Sequence, residues 1–112
     1  MVTVADVRAL ALTLPRTTEH LIRDRVKFRV GAIVYVAFSR DETTMGFGYP
    51  KEERDALVAT DPELFFRPGP ADLRYHWVCC HLDRLDHGQM TELVTEAWRM
   101  VVPKFLAKER LG

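Results

Sequence analysis

With 112 residues, a hydrophobic share of 47% and a charged share of 29%, the chain can bury one core without disulfides or metal. Lys+Arg (16) equals Asp+Glu (16), a formal charge of zero that excludes a strongly basic nucleic-acid domain. Any nucleic-acid affinity must come from local charge asymmetry, and should be weak and salt-sensitive. No cationic leader followed by an apolar run opens the sequence, and no apolar stretch approaches the length of a bilayer. The expectation is a cytoplasmic protein with no membrane partner.

Thr3 with Asp6 three residues on forms a capping pair, and Val4, Val7, Leu10, Ala11 and Leu14 follow at helical spacing before Pro15. Residues 17–24 suit a short edge strand. From Arg23 to Val30 cations and hydrophobes then alternate. Arg23, Arg25, Lys27 and Arg29 take the odd positions, and Val26, Phe28 and Val30 the even ones. Strand side chains point to opposite faces with a period of two, so four cations should line one face while the other enters the core.

Gly31-Ala32 fits a two-residue hairpin turn of type II′. An unbroken register from that turn pairs Val30 with Ile33, Phe28 with Tyr35 and Val26 with Ala37 on the core face. It sets Arg29 opposite Val34, Lys27 opposite Val36 and Arg25 opposite Phe38 on the other. Asp41-Glu42 reads as a turn and residues 43–49 as a fourth strand, loosened by Gly46 and Gly48. Pro50 opens a short helix over 51–59, gripped by Leu57 and Val58. A loop follows between Asp61-Pro62 and Pro68-Gly69-Pro70, in which Phe65 and Phe66 anchor the chain to the body. Residues 75–82 form the last strand. Asp86 or His87 opens a long final helix, apolar from Met90 through Leu93, Val94, Ala97, Trp98 and Val101 to Phe105, with Pro103 kinking or ending it. The whole chain, 1–112, reads as a single α+β domain. It has a twisted antiparallel sheet, an N-terminal helix, a short middle helix and a long C-terminal helix.

No catalytic or metal motif stands out. His76 and His81 fall on opposite strand faces, while His20 and His87 sit at element ends, and no His-x-x-x-His or Cys-x-x-Cys spacing occurs. The adjacent Cys79 and Cys80 read as free structural thiols in a reducing compartment, since a bridge between neighbours closes a strained ring. Cys79 and His81 share a strand face, so an enzyme built on them and Trp77 is a third possibility behind two binding readings. Gly46-Phe47-Gly48 is too short for a phosphate loop, and Ser39 lacks a Gly-x-Ser-x-Gly frame. No cofactor, metal or catalytic residue is therefore expected.

The basic row has a bland and a functional reading. In the bland one, neighbouring carboxylates neutralise it and the cations protect an edge strand from aggregation. In the functional one, Arg23, Arg25, Lys27 and Arg29 meet phosphates, while Val36, Phe38, Phe47 and Trp77 lend apolar or stacking surface.

Several short matches occur in one order: Leu14-Pro15 with Glu19, then Val26-Lys27-Phe28-Arg29-Val30-Gly31, then Phe65 with Pro68. Tyr75-His76-Trp77-Val78, Leu82-Asp83, Ala97-Trp98 and Pro103-Lys104 complete the set. Together they resemble the MmcQ/YjbR family of small bacterial proteins over essentially the whole chain. The resemblance implies a frataxin-like (CyaY-like) fold and a customary DNA-binding label. The chain departs from the family pattern at Ala32 and around Gly46 to Gly48, where lysines are usual, and carries Ala97-Trp98 in place of a serine-aromatic pair. The first helix holds only Asp6 as an acid, so frataxin's iron chemistry does not carry over. The function expected is weak, non-specific and non-enzymatic DNA binding through the basic strand. The alternative is a protein-interaction or small-ligand module on the same face. Monomer and homodimer are both compatible with the sequence.

Overall fold

Thr3 and Asp6 cap each other as expected in the computed structural model, which describes residues 1–111 and side chains as far as Lys108. The Thr3 backbone N–H donates to the Asp6 carboxylate at 2.9 Å, and the Asp6 N–H donates to Thr3 Oγ1 at 3.3 Å. Helix α1 (Val4–Ala11) buries Val4, Val7 and Ala11 on one stripe. Strands β1 (Thr17–Ile22), β2 (Arg25–Val30), β3 (Ile33–Phe38) and β4 (Thr44–Gly48) then form a meander. Helix α2 (Arg54–Thr60), strands β5 (Phe65–Phe66) and β6 (Trp77–His81), and helices α3 (His87–Arg99) and α4 (Lys104–Leu111) complete the chain.

The six strands pair antiparallel in the order β1-β2-β3-β4-β6-β5. Phe65 and Phe66, expected to be loop anchors, instead make the outer strand, pairing with Cys80 and Cys79. Two residues are too few to show a period, so the segment could not announce itself. The turn after β2 is as expected: Gly31 takes φ 58°, and Val30 faces Ile33.

The register beyond that turn is not the expected one. Arg29 pairs with Val34, but Phe28 pairs with Val36, leaving Tyr35 as an extra residue in a β-bulge. The Tyr35 side chain is fully buried, and its hydroxyl lies 2.8 Å from Thr17 Oγ1 at the end of β1. One inserted residue flips everything after it to the other face. Val36 and Phe38 therefore enter the core, and Ala37 turns to the open side. Ile33, expected in the core, sits at the hairpin end and is 56% exposed.

The core lies on one side of the sheet. A row across it runs Phe28, Val36, Phe47 and Val78, and beside it Phe38, Met45, Cys80 and Phe65. All eight are buried. Trp98 from α3 is fully buried on this side, and its Nε1–H donates to the Pro15 carbonyl at 2.8 Å. An Asp86–Gln89 capping box starts α3. The long C-terminal helix is in fact two, because α3 ends at Arg99 and Pro103 precedes α4. Val101 falls in the intervening turn and is half-buried, and Phe105 is 64% exposed. The apolar face expected to run to Phe105 continues past α3 through Val101, and in α4 it is Leu106 and Ala107, not Phe105, that meet the core.

Replacing Phe28 or Trp98 with alanine should cost about 3–5 kcal/mol in chemical denaturation, because each fills a closed part of the core. Stability should also fall at high pH. Burial pushes Tyr35 up to about 12, Cys79 up to about 11 and Cys80 up to about 12. In the unfolded chain these groups ionise near 10 and 9. Unfolding then releases protons, so this contribution is fully present below about pH 9 and is lost as pH rises towards 12. Urea midpoints measured from pH 8 to 11 should decline accordingly.

Candidate nucleic-acid interface

Opposite the core, the sheet presents a second row that crosses all six strands: His20, Lys27, Ala37, Gly46, Cys79 and Phe66. Arg25 and Arg29 flank Lys27 along β2. Same-face residues on a strand stand about 6.8 Å apart, so the three charges span about 14 Å. Arg25 is exposed, and Lys27 and Arg29 are half-buried along their stems. Among the described residues, no carboxylate lies within ion-pair distance of any of the three. Glu19, the acid on the neighbouring strand, points to the helical side and forks onto Arg8 at 2.9–3.1 Å.

Arg23 is not part of this row. It and Asp24 form the two-residue turn between β1 and β2, with φ 53° and 65°. Two successive left-handed residues are the type I′ hairpin geometry, which an Arg-Asp dipeptide does not advertise in sequence. The Arg23 carbonyl accepts from Arg40 Nε at 3.2 Å. The row is three cations long. The expected apolar companions are also corrected: Val36, Phe38 and Phe47 are core residues and cannot meet a partner. The bulge moved the first two, and Phe47 lies opposite its flanking glycines by simple alternation.

Trp77 remains on the open face. Its indole lies over Gly46, where a Cβ would come within 2.7 Å of Cε2. At Gly48 an added Cβ would meet only Ala97 and Met100, at 3.7–3.8 Å. Small residues at the sheet centre thus leave a depression with Ala37 and Gly48 on its floor. Arg25 and Lys27 bound it on the β2 side, and Trp77, Tyr75 and Val101 on the other. The cleft measures about 540 Å³, within the range of small-ligand sites.

A residue with no sequence signal holds the far wall. Arg54 of α2 is buried, and its guanidinium donates to the carbonyls of Leu73 (2.8 Å), Tyr75 (3.1 Å) and Trp77 (3.1 Å). These three bonds tie the segment carrying Tyr75 and Trp77 to α2. His76 Nδ1 accepts from the Lys51 N–H at 3.0 Å, a second tie to the same segment.

Two of the other histidines and both thiols have structural surroundings. His81 stacks on Phe66 with centroids 4.7 Å apart, and His20 lies 2.9 Å from Thr18 Oγ1 in mid-strand rather than at an end. Cys79 and Cys80 are unbridged. Burial raises both thiols, the opposite of what a nucleophile needs. Among the described residues, no group of three or more His, Cys, Asp or Glu side chains could hold a metal ion. No helix there is long and apolar enough to cross a membrane.

The class defined by these features is an α+β domain with one helix-covered sheet face and one open, cationic face. The YjbR family model matches residues 12–100, and the chain belongs to that family. Its fold is similar to the crystal structure of Deinococcus radiodurans protein DR2400, a DUF419 domain. The TM-score is 0.80 at 22% identity, covering 97% of this chain and 88% of that one. No curated protein matches the sequence.

The glycines predict opposite mutational outcomes. Gly46→Ala should displace the Trp77 indole, lower stability by about 1–3 kcal/mol and shift tryptophan emission. Gly48→Ala should leave both nearly unchanged. Equal effects at the two positions would contradict the packing of Trp77 on Gly46.

Proposed function

We propose that this domain is a non-enzymatic, cytoplasmic nucleic-acid binder of low affinity that contacts phosphates through Arg25, Lys27 and Arg29. The observation that carries the reading is the row of three cations without carboxylate partners on a sheet face that α1 and α3 leave open. Partial burial of Lys27 and Arg29 limits their screening by water and supports attraction of an anion. Phosphate contacts carry no base information, so the binding would be indifferent to sequence. Zero net charge keeps it weak, in the range of about 10⁻⁴–10⁻⁶ M typical of non-specific complexes. The raised thiols support a packing role for Cys79 and Cys80, consistent with a domain that performs no chemistry.

Anisotropy titrations with labelled DNA test the reading. Three phosphate contacts predict that log K falls with log salt at a slope of about −2 to −3. The triple substitution of Arg25, Lys27 and Arg29 to glutamine should abolish binding to unrelated sequences alike, with folding verified by circular dichroism. Absence of binding by the unaltered protein even at low salt would reject the proposal. So would undiminished binding by the folded triple variant.

A further inference from the structure

We propose that the cleft between β2 and Trp77 is a stacking site for one unpaired base, so that the domain prefers single-stranded nucleic acid to duplex. The inference rests on the phosphate reading above and adds a base to it.

Dimensions and chemistry both point this way. Neighbouring strands lie about 4.8 Å apart, so the β2 cations stand about 10 Å from β4, over which the Trp77 indole lies. Arg25 and Lys27 reach inwards from that distance, and the remaining gap suits a sugar and base attached to a phosphate held at β2. Between them lie the small residues Ala37 and Gly48, with Met100, 44% exposed and unbranched, as the long side chain nearest Gly48 and one that a flat ring would have to displace or pack against. Trp77 is half-buried, lies against Gly46 and lines the cleft, so part of its indole is open to an occupant.

Tyr75, 51% exposed, lines the same cleft and has the Arg74 guanidinium over its ring at 4.8 Å, so it offers at most one ring face. Asp72 also lines the cleft and offsets the charge of Arg74 beside Tyr75. The two cations that line the cleft without acid partners among the described residues, Arg25 and Lys27, therefore set the orientation: phosphate to β2, base to β6. Stacking tolerates any base, since each has a π-face, and a paired base is hidden within its duplex. A duplex would reach only the cations. The wall does not depend on the occupant, because Arg54 holds the carbonyls of Tyr75 and Trp77 from behind.

The test compares an oligothymidylate strand with the same strand annealed to its oligoadenylate complement, both at low salt. The single strand should bind more tightly and quench tryptophan emission. Trp98 is fully buried, so the quench should come from Trp77 and disappear in Trp77→Phe. Trp77→Ala should weaken single-strand binding about tenfold or more and leave duplex binding unchanged. Trp77→Phe, which keeps an aromatic ring, should retain most of the single-strand affinity and serves if the alanine variant does not fold. Equal affinity for strand and duplex, or an aromatic-to-alanine change without effect, would overturn the stacking site and leave the phosphate reading standing. Failure of the unaltered protein to bind either form would overturn both.

Discussion

The bulge at Tyr35 decides which side chains of β3 meet helices and which meet solvent. Without the extra residue, Val36 and Phe38 would lie on the open face and Ala37 in the core, leaving two large side chains unburied and a hole behind them. With it, Phe38 sets its ring edge-on to Phe28 at 6.2 Å, and Ala37 comes to the centre of the open face between Lys27 and Gly46. Core packing and the cleft floor are therefore two results of one irregularity. Its anchor is the Tyr35 hydroxyl against Thr17, which closes a polar group that would otherwise be buried without a partner.

Arg54 plays the corresponding part on the opposite wall. Burying a guanidinium is expensive unless its N–H groups are taken up, and here three backbone carbonyls accept from it. Its Nε has no partner among the described residues, so the site is held at some cost. The gain is positional. Residues 70–76 contain only a short 3₁₀ turn, and a charged clamp on the alternate carbonyls of Leu73, Tyr75 and Trp77 gives that segment a fixed path. Trp77 then enters β6 with its indole already directed over Gly46.

The parts of this architecture written in local chemistry could be read from the sequence. Thr3 with Asp6, the glycine at position 31 and the alternation from Arg25 to Val30 each act within a few residues, and each is found where expected. Features set by distant contacts could not. The bulge depends on Thr17 meeting Tyr35, 18 residues away. The role of Arg54 depends on carbonyls some 20 residues on, and nothing distinguishes it from other arginines in a chain with 16 basic residues. The Arg23-Asp24 turn lacks the Asn-Gly or Asp-Gly chemistry that marks type I′ hairpins, so the basic row looked one residue longer than it is. The candidate site was thus half visible. Its cations were legible by period, while its floor and far wall depend on register.

The two readings of the basic row, guard and binding site, separate once the sheet order is known. Edge protection does not apply, because β2 is covered by β1 on its outer side and the edges are β1 and β5. Neutralisation does not apply either. Acids elsewhere are matched locally, as in Glu19 with Arg8, Asp55 with Arg67, Glu63 with Arg84 and Glu96 with Arg99. With those acids paired elsewhere and none within ion-pair distance of Arg25, Lys27 or Arg29 among the described residues, the positive patch on β2 is local. Under the proposed reading, an occupant that brings negative charge to these cations and a flat ring to Trp77 uses both sides of the cleft.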